Sequence, residues 1–168
     1  YYDRVEEMDT RAGEILAGLE EAGLADNTIV FYYSDHAGVL GRSKRFLYES
    51  GTHVPMIVRI PEKFKKFYPA KHPGSRVDRL VSFVDLAPTL LSIAGMETPD
   101  FMQGRAFLGK FRRKEPEYVY MFRDRMDEKY DMCRSIVDSE FRYIRNYNPE
   151  RIWLQHLEYL CLLYTSPS

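Results

Sequence analysis

The chain has 168 residues, of which 45% are hydrophobic and 14% aromatic, so it can bury the core of a compact domain and is not typical of intrinsic disorder. Its 24 Lys and Arg residues balance 25 Asp and Glu residues, which excludes an overall positive field and argues against nucleic acid as a partner. No apolar run reaches the roughly 20 residues of a membrane span. The two cysteines, Cys133 and Cys161, are too few and too far apart for a disulfide framework or a zinc site, and we expect buried free thiols.

The N-terminal part predicts a helix followed by a buried strand. Apolar residues spaced three and four apart between Val5 and Leu19 define one face of a helix, and Gly23 is a plausible stop. The run 28–33 is β-branched and aromatic with almost no polar alternation. Such a run is typical of a strand covered on both faces, as in a parallel sheet.

Residues 34–44 contain two glycines and few apolar side chains, which predicts a loop leaving the carboxyl end of that strand. Ligands bind at this position in open α/β sheets. Residues 54–60 predict a second strand, with Pro55 near its start, where a lost N–H donor is tolerated. The lysine-rich stretch 62–76 is interpreted as a solvated connection rather than a nucleic-acid patch.

The C-terminal half predicts one more helix and then a second kind of sheet. Residues 77–84 form a short apolar segment, after which Asp85 can cap a helix that ends at Gly95. Short strand-like pieces follow at 118–122, 135–137 and 141–144, separated by charged turns. The predicted fold class is therefore α/β with a mainly parallel sheet, plus a small C-terminal antiparallel or mixed sheet.

Both chain ends carry expectations of their own. The sequence opens at Tyr1 without an initiator Met and enters the helical pattern at once, so we expect a cut there, and the missing signal peptide says little about compartment. Residues 161–168 differ in composition from the preceding sequence, and they are either a foreign or mis-joined segment or the native C-terminus. We expect an α/β part over 1–98, a small subdomain over 99–160 and an atypical tail over 161–168.

The sharpest chemical feature follows the first predicted strand. Asp35 and His36 come directly after it, and Lys44 stands nine positions beyond Asp35. A carboxylate with an adjacent imidazole can hold a divalent cation, and a lysine on the same loop can neutralise an anion bound to that cation. An Asp-His pair alone is more typical of a capping Asp and a surface histidine. The combination with Tyr48-Glu49-Ser50-Gly51 and a following Val-Pro strand is more specific.

This combination resembles the sulfatase family of the alkaline-phosphatase-like superfamily. The matching stretches cover roughly residues 1 to 160: they include 24–36, Lys44, 48–51, 54–59, 84–91 and 141–146. Within the family, the loop 41–45 and the stretch 134–149 resemble the branch that includes heparan N-sulfatases. The resemblance implies an alkaline-phosphatase-like sandwich for the α/β part.

The resemblance also implies roles for three residues. Asp35 stands where the family has a calcium-ligating carboxylate, and Lys44 where it has a basic residue that contacts the substrate sulfate. His36 stands where the family has Asn or His beside the metal; it either ligates calcium or hydrogen-bonds a sulfate oxygen. Ala37 replaces the usual Gly, which matters if that backbone needs a positive φ.

Two further residues are candidates for substrate contacts. His53 lies just before the second predicted strand, where an ordinary strand-start histidine is the other interpretation. Arg125 belongs to the charged cluster 123–128, which is otherwise a solvated turn of mixed charge.

The resemblance implies a formylglycine nucleophile made from a Cys/Ser-x-Pro-x-Arg motif, and this sequence contains no such motif. The expected function is hydrolysis of sulfate esters or N-sulfate groups on a sugar or another sulfated small molecule, with calcium and with the nucleophile upstream of Tyr1. The 168 residues alone should then be inactive. A phospho-transfer hydrolase of the same superfamily and a non-catalytic module that binds sulfated glycans remain alternatives. An extracytoplasmic location (periplasmic, secreted or lysosomal) is implied by the resemblance only.

Overall fold

The computed structural model describes residues 2–36, 42–126 and 129–151. The chain divides into two compact units, Tyr1–Tyr32 with Ile57–Val77 and Tyr33–Met56 with Asp78–Ser168. The predicted boundary between residues 98 and 99 stays a prediction. The predicted tail 161–168, Cys161 and Ala37 lie outside the described residues.

Helix α1 (Tyr2–Glu21) confirms the predicted N-terminal helix. It stops at Gly23, whose φ of 67° lies in the left-handed region that favours glycine. The N–H of Leu24 donates to the Leu19 carbonyl at 2.9 Å, which satisfies one of the last helical acceptors. Within α1, all of which is described, no residue is buried, and most of the apolar stripe that predicted the helix stays exposed in this structure.

Strands β1 (Val30–Tyr33) and β2 (Met56–Arg59) pair with each other and confirm the two predicted strands. Both begin two residues later than expected. The hydroxyl of Thr28 donates to the Leu24 carbonyl at 2.9 Å, which keeps Thr28 in the turn after α1. Pro55 has no N–H to donate, so pairing starts after it. The 3-10 helix Glu62–Phe67 and a largely exposed stretch follow β2, in agreement with the predicted solvated connection.

Helix α3 (Leu86–Ile93) lies in the second unit together with the one-turn helix α2 (Glu49–Thr52). It is followed by Gly95, with φ 83°, as predicted. Asp85 stands at the predicted N-cap position of α3, but its side chain makes no capping hydrogen bond to this helix, so that part of the prediction is wrong. The carboxylate instead accepts the N–H of Ser82 at 3.1 Å and the N–H of Arg105 at 2.7 Å, which ties the helix start to a distant loop.

Polar groups on α3 anchor that same loop. Thr89 is fully buried; its hydroxyl donates to the Asp85 carbonyl at 2.7 Å and accepts the N–H of Phe107 at 3.0 Å. Ser92 Oγ accepts the N–H of Phe111 at 2.8 Å. Five hydrophobic residues of the second unit are buried, and they are Phe46, Leu47, Ala106, Phe107 and Leu108.

The predicted small C-terminal sheet is present and is antiparallel. Its strand order is β3-β4-β5, with β3 at Val119–Met126, β4 at Lys129–Val137 and β5 at Arg142–Asn146. The strands are longer than expected, and the interpretation of 123–128 as a turn is wrong for residues 123–126, which lie in β3. Arg123 lies in β3 and is only 6% exposed, because it pairs with the equally buried Asp131 on β4 at 3.6 Å. Its guanidinium also lies 4.6 Å from the centroid of the Phe46 ring.

The remaining sequence predictions concern the thiols and the membrane. Cys133 is half-buried and forms no disulfide among the described residues. Burial raises the pKa of its thiol, and the neighbouring Asp131 charge adds to this effect. No helix in the described ranges is long and apolar enough to cross a bilayer.

Candidate functional site

The chain turns sharply at the end of β1, and this turn places the two candidate metal ligands. The hydroxyl of Ser34 donates to the carbonyl of His36 at 2.7 Å, which closes a local turn directly after Tyr33. The Tyr33 ring packs against Phe83 with centroids 5.4 Å apart. The Ser34 hydrogen bond and the Tyr33–Phe83 contact therefore fix the backbone from which Asp35 and His36 project.

Asp35 and Lys44 are brought together. The Lys44 ammonium donates to Asp35 Oδ2 at 3.1 Å, with the Lys44 side chain 27% exposed and the Asp35 side chain 75% exposed. This hydrogen bond lowers the pKa of Asp35 below its ordinary value, and burial opposes the effect only in part. The carboxylate is thus ionised at neutral pH, beside a cation that can face an anionic ligand.

His36 is held by the main chain of a neighbouring turn. Its Nδ1 lies 2.8 Å from the carbonyl oxygen of Gly51. Since a carbonyl can only accept, the proton sits on Nδ1 and Nε2 is left as the acceptor or ligand. Histidines that bind metals in proteins are oriented in this way, by an N–H donated to a carbonyl from the other ring nitrogen.

Gly51 must be a glycine at this position for a steric reason. A Cβ atom built on it would lie 2.2 Å from the carbonyl oxygens of both Ser43 and Phe46. Sequence reasoning singled out Gly51 as part of a motif but missed this role. The only sequence signal for this role is the position of Gly51 at the end of the Tyr-Glu-x-Gly stretch.

The turn that carries Lys44 has an unusual backbone. Arg42 has φ 66° and Arg45 has φ 78°, so Lys44 is flanked by left-handed residues that are not glycine. The hydroxyl of Ser43 donates to the Ser50 carbonyl at 2.9 Å, and the hydroxyl of Ser50 donates to the Arg42 carbonyl at 2.7 Å. The guanidinium of Arg42 also lies 4.3 Å from the centroid of the Tyr48 ring.

A second charged cluster joins α2 to β5. Glu49 accepts from Arg142 at 2.5 Å through one carboxylate oxygen and lies 2.5 Å from His53 Nδ1 through the other. Arg142 also donates to the Leu47 carbonyl at 3.0 Å. Burial raises the pKa of Glu49, but the hydrogen bonds and charges of Arg142 and His53 outweigh it, and the net shift is downward. Sequence reasoning missed Arg142, because 93 residues separate it from Glu49 and no local pattern connects them.

The two predicted substrate-contact residues occupy different places. His53 follows α2 and its side chain is 64% exposed. Arg125 lies in β3, opposite Tyr130 of β4, and is exposed. Their roles in substrate binding stay predictions.

The donor set fits calcium in part. Among the described residues, no group of three or more His, Cys, Asp and Glu side chains is placed to hold a metal ion. Asp35 supplies an ionised carboxylate and His36 a directed nitrogen, whereas calcium takes six to eight ligands, mostly oxygens. These two residues can therefore form one side of a metal site, with Asp35 the better match to calcium.

The strand-end Asp-His pair and the basic turn agree with the family that a sequence comparison identifies. A sequence profile of the sulfatase family matches residues 1–96, more than half of the chain, and the chain belongs to this family. The predicted alkaline-phosphatase-like fold class is confirmed by its sulfatase structural neighbours. The assignment to the heparan N-sulfatase branch stays a prediction.

Individual relatives agree with this family. The chain is 44% identical to an "Ulvan-active sulfatase" of Formosa agariphila over 94% of its own length, and 38% identical to an "N-acetylglucosamine-6-O-sulfatase" of Bacteroides thetaiotaomicron over 62%. It spans only 25% of the first relative and 18% of the second. The solved structure of BT4656 in complex with its substrate D-glucosamine-2-N,6-O-disulfate matches with a TM-score of 0.71 and 30% identity, over 86% of this chain and 30% of that one.

Proposed function

We propose that the protein containing this chain hydrolyses sulfate esters or N-sulfate groups on a saccharide. The observation that carries the proposal is the Lys44 ammonium, held 3.1 Å from the Asp35 carboxylate at the end of β1. The relatives act, by their names, on ulvan and on N-acetylglucosamine-6-O-sulfate, and BT4656 has a sulfated glucosamine as its substrate. An extracytoplasmic location is proposed on the family resemblance alone.

The roles of this chain's residues follow from their charges and hydrogen bonds. Calcium, when bound, would polarise the sulfate oxygens, and a formylglycine outside these 168 residues would supply the nucleophile. Asp35 would hold the cation through its ionised carboxylate. Lys44 would attract the sulfate and offset the charge that develops on it in the transition state. His36 would use Nε2 to bind the metal or a sulfate oxygen, since its Nδ1 donates a hydrogen bond to the Gly51 carbonyl.

The test is a screen of the complete protein against O-sulfated and N-sulfated saccharides, with released sulfate as the readout. We expect Lys44→Ala to lower kcat/KM by roughly 100-fold, with a higher KM and a lower kcat. Lys65→Ala is the matched control, because Lys65 pairs with Glu62 at 3.6 Å in the first unit and both side chains are exposed. The 168-residue chain by itself should show no turnover.

Two results would contradict the proposal. Binding of sulfated saccharides without sulfate release would indicate a non-catalytic glycan-binding module. Release of phosphate from phosphorylated substrates, with no release of sulfate, would indicate a phospho-transfer enzyme of the same superfamily.

A further inference from the structure

Lys44 lies in a turn whose backbone conformation is unfavourable for the residues that form it. The residues before and after the Ser43-Lys44 pair, Arg42 and Arg45, have φ angles of 66° and 78°. Residues other than glycine rarely adopt this left-handed conformation, because their Cβ atoms crowd the backbone. Contacts with the surrounding structure must therefore stabilise Arg42 and Arg45 in this conformation.

Two serine hydroxyls provide that restraint. Ser43 Oγ donates to the Ser50 carbonyl at 2.9 Å, and Ser50 Oγ donates to the Arg42 carbonyl at 2.7 Å. These two crossed hydrogen bonds, called the serine clasp below, connect the stretch before Lys44 to the first turn of α2. Ser43 is only 3% exposed, so water competes little for its bond.

The serine clasp fixes the backbone next to Lys44, the residue whose ammonium would bind an anion. Lys44 has a long flexible side chain, and its ammonium can be held at one point only if the backbone beneath it is fixed. The Ser43 carbonyl also accepts the N–H of Phe46 at 3.1 Å, so the turn is closed on both sides of Lys44. The buried Phe46 then anchors the turn in the core of the second unit.

We propose that Ser43 and Ser50 are positioning residues that hold Lys44 in place to contact the substrate sulfate. The inference rests on the proposed function, because Lys44 matters only if an anion binds there. Ser50 is the more useful residue for a test, since it is exposed and tolerates substitution better than the buried Ser43.

The experiment measures kcat and KM of the complete protein with a sulfated saccharide for Ser50→Ala and Ser50→Thr, each with and without Lys44→Ala. We expect Ser50→Ala to lower kcat/KM about tenfold, and Ser50→Thr, which keeps the hydroxyl, to restore it to within about twofold. In the Lys44→Ala background, Ser50→Ala should cost nothing further, because the residue that it positions is gone. The control is Ser75→Ala, whose hydroxyl donates to the His72 carbonyl at 2.7 Å in the first unit, and it should leave both constants unchanged.

The clasp proposal is overturned if Ser50→Ala leaves kcat/KM unchanged, or if it costs the same with and without Lys44. Absence of sulfatase turnover in the unsubstituted protein would contradict the proposed function instead. Calorimetric titration with inorganic sulfate then decides the clasp by itself: weaker sulfate binding by Ser50→Ala but not by Ser75→Ala supports it, and equal affinities overturn it.

Discussion

Gly51 links the two halves of the candidate site at the scale of single residues. Its carbonyl accepts from His36, and its missing Cβ leaves room for the carbonyl oxygens of Ser43 and Phe46. One residue thus sets the orientation of the imidazole and the close approach of the lysine-bearing turn. A substitution at this position affects both at once.

Gly51→Ala should destabilise the protein by about 1–3 kcal/mol, because the new methyl group overlaps two backbone oxygens that cannot rotate away. Activity should fall as well, since the His36 acceptor moves with the turn. Urea unfolding and sulfate release measure the two effects. Gly13→Ala is the control: Gly13 lies inside α1 with open space around it, and alanine there should stabilise the protein by about 0.5–1 kcal/mol. Equal stability of Gly51→Ala and the unsubstituted protein would refute the steric argument.

Asp35→Ala should abolish sulfatase turnover and weaken calcium binding in the complete protein, because it removes the ionised carboxylate that would ligate the cation. Calcium affinity is measured by calorimetry. Asp26→Ala, an exposed carboxylate in the first unit, is the control and should bind calcium as before. Near-normal activity of Asp35→Ala would remove this residue from the site.

At the scale of elements, polar side chains fasten α3 to the loop 104–111, and a capping box between Ser82 and Asp85 closes the 3-10 turn that leads into the helix. Thr89 is the centre of this attachment, since its hydroxyl bonds both to the Asp85 carbonyl and to the N–H of Phe107. The helix and its start at Leu86 are therefore predictable, whereas the partner of the Asp85 carboxylate is not. The helical period depends on neighbouring residues, whereas the Asp85 carboxylate finds its partner 20 residues away.

Thr89→Val keeps the shape of the side chain and removes the hydroxyl. The N–H of Phe107 is then buried without this acceptor, which should cost about 1–3 kcal/mol of unfolding free energy. Thermal or urea unfolding measures the change. Thr28→Val removes a comparable hydroxyl from a less buried position and should cost less than half as much. A smaller loss for Thr89→Val than for Thr28→Val would contradict this account.

At the scale of the whole molecule, the sequence predicts features that depend on neighbouring residues, and it does not predict contacts between residues that are far apart in the chain. Helices α1 and α3, the strands and the Asp35–Lys44 association follow from spacing over a few residues, whereas the one-turn helix α2 was not predicted. Arg142 and Glu49 meet across 93 positions, and the Arg123–Asp131 pair is buried only because β3 and β4 align. Side chains from such charged stretches are solvated in most proteins, so the sequence of 123–128 favours a solvated turn, with Arg125 as a candidate for substrate contacts.

The Glu49–Arg142 pair has a pH dependence of known sign. The pKa of Glu49 is lowered from its ordinary 4.5, so the pair contributes stability above that pH and loses it as the pH falls through the lower folded-state pKa. Glu49 is largely exposed, and the contribution should be only about 0.2–1 kcal/mol.

Below about pH 4.5, the unfolding free energy of the unsubstituted protein should therefore fall more steeply than that of Glu49→Gln. Urea unfolding between about pH 3 and pH 7 measures both slopes. Glu62→Gln is the control, since the Glu62–Lys65 pair is longer and exposed on both sides, and its slope should resemble that of the unsubstituted protein. Identical slopes for Glu49→Gln and the unsubstituted protein would show that the pair contributes nothing.

The lysine-bearing turn also has a consequence for folding kinetics. Its hydrogen bonds connect residues only seven and eight positions apart, whereas Arg142 reaches Leu47 across 95 positions. Closing a short loop costs less chain entropy than closing a long one, and contacts of low sequence separation form sooner. We therefore expect the turn around Lys44 to form before the C-terminal sheet docks on it, so that the basic side of the site serves as a template for the strands that arrive later.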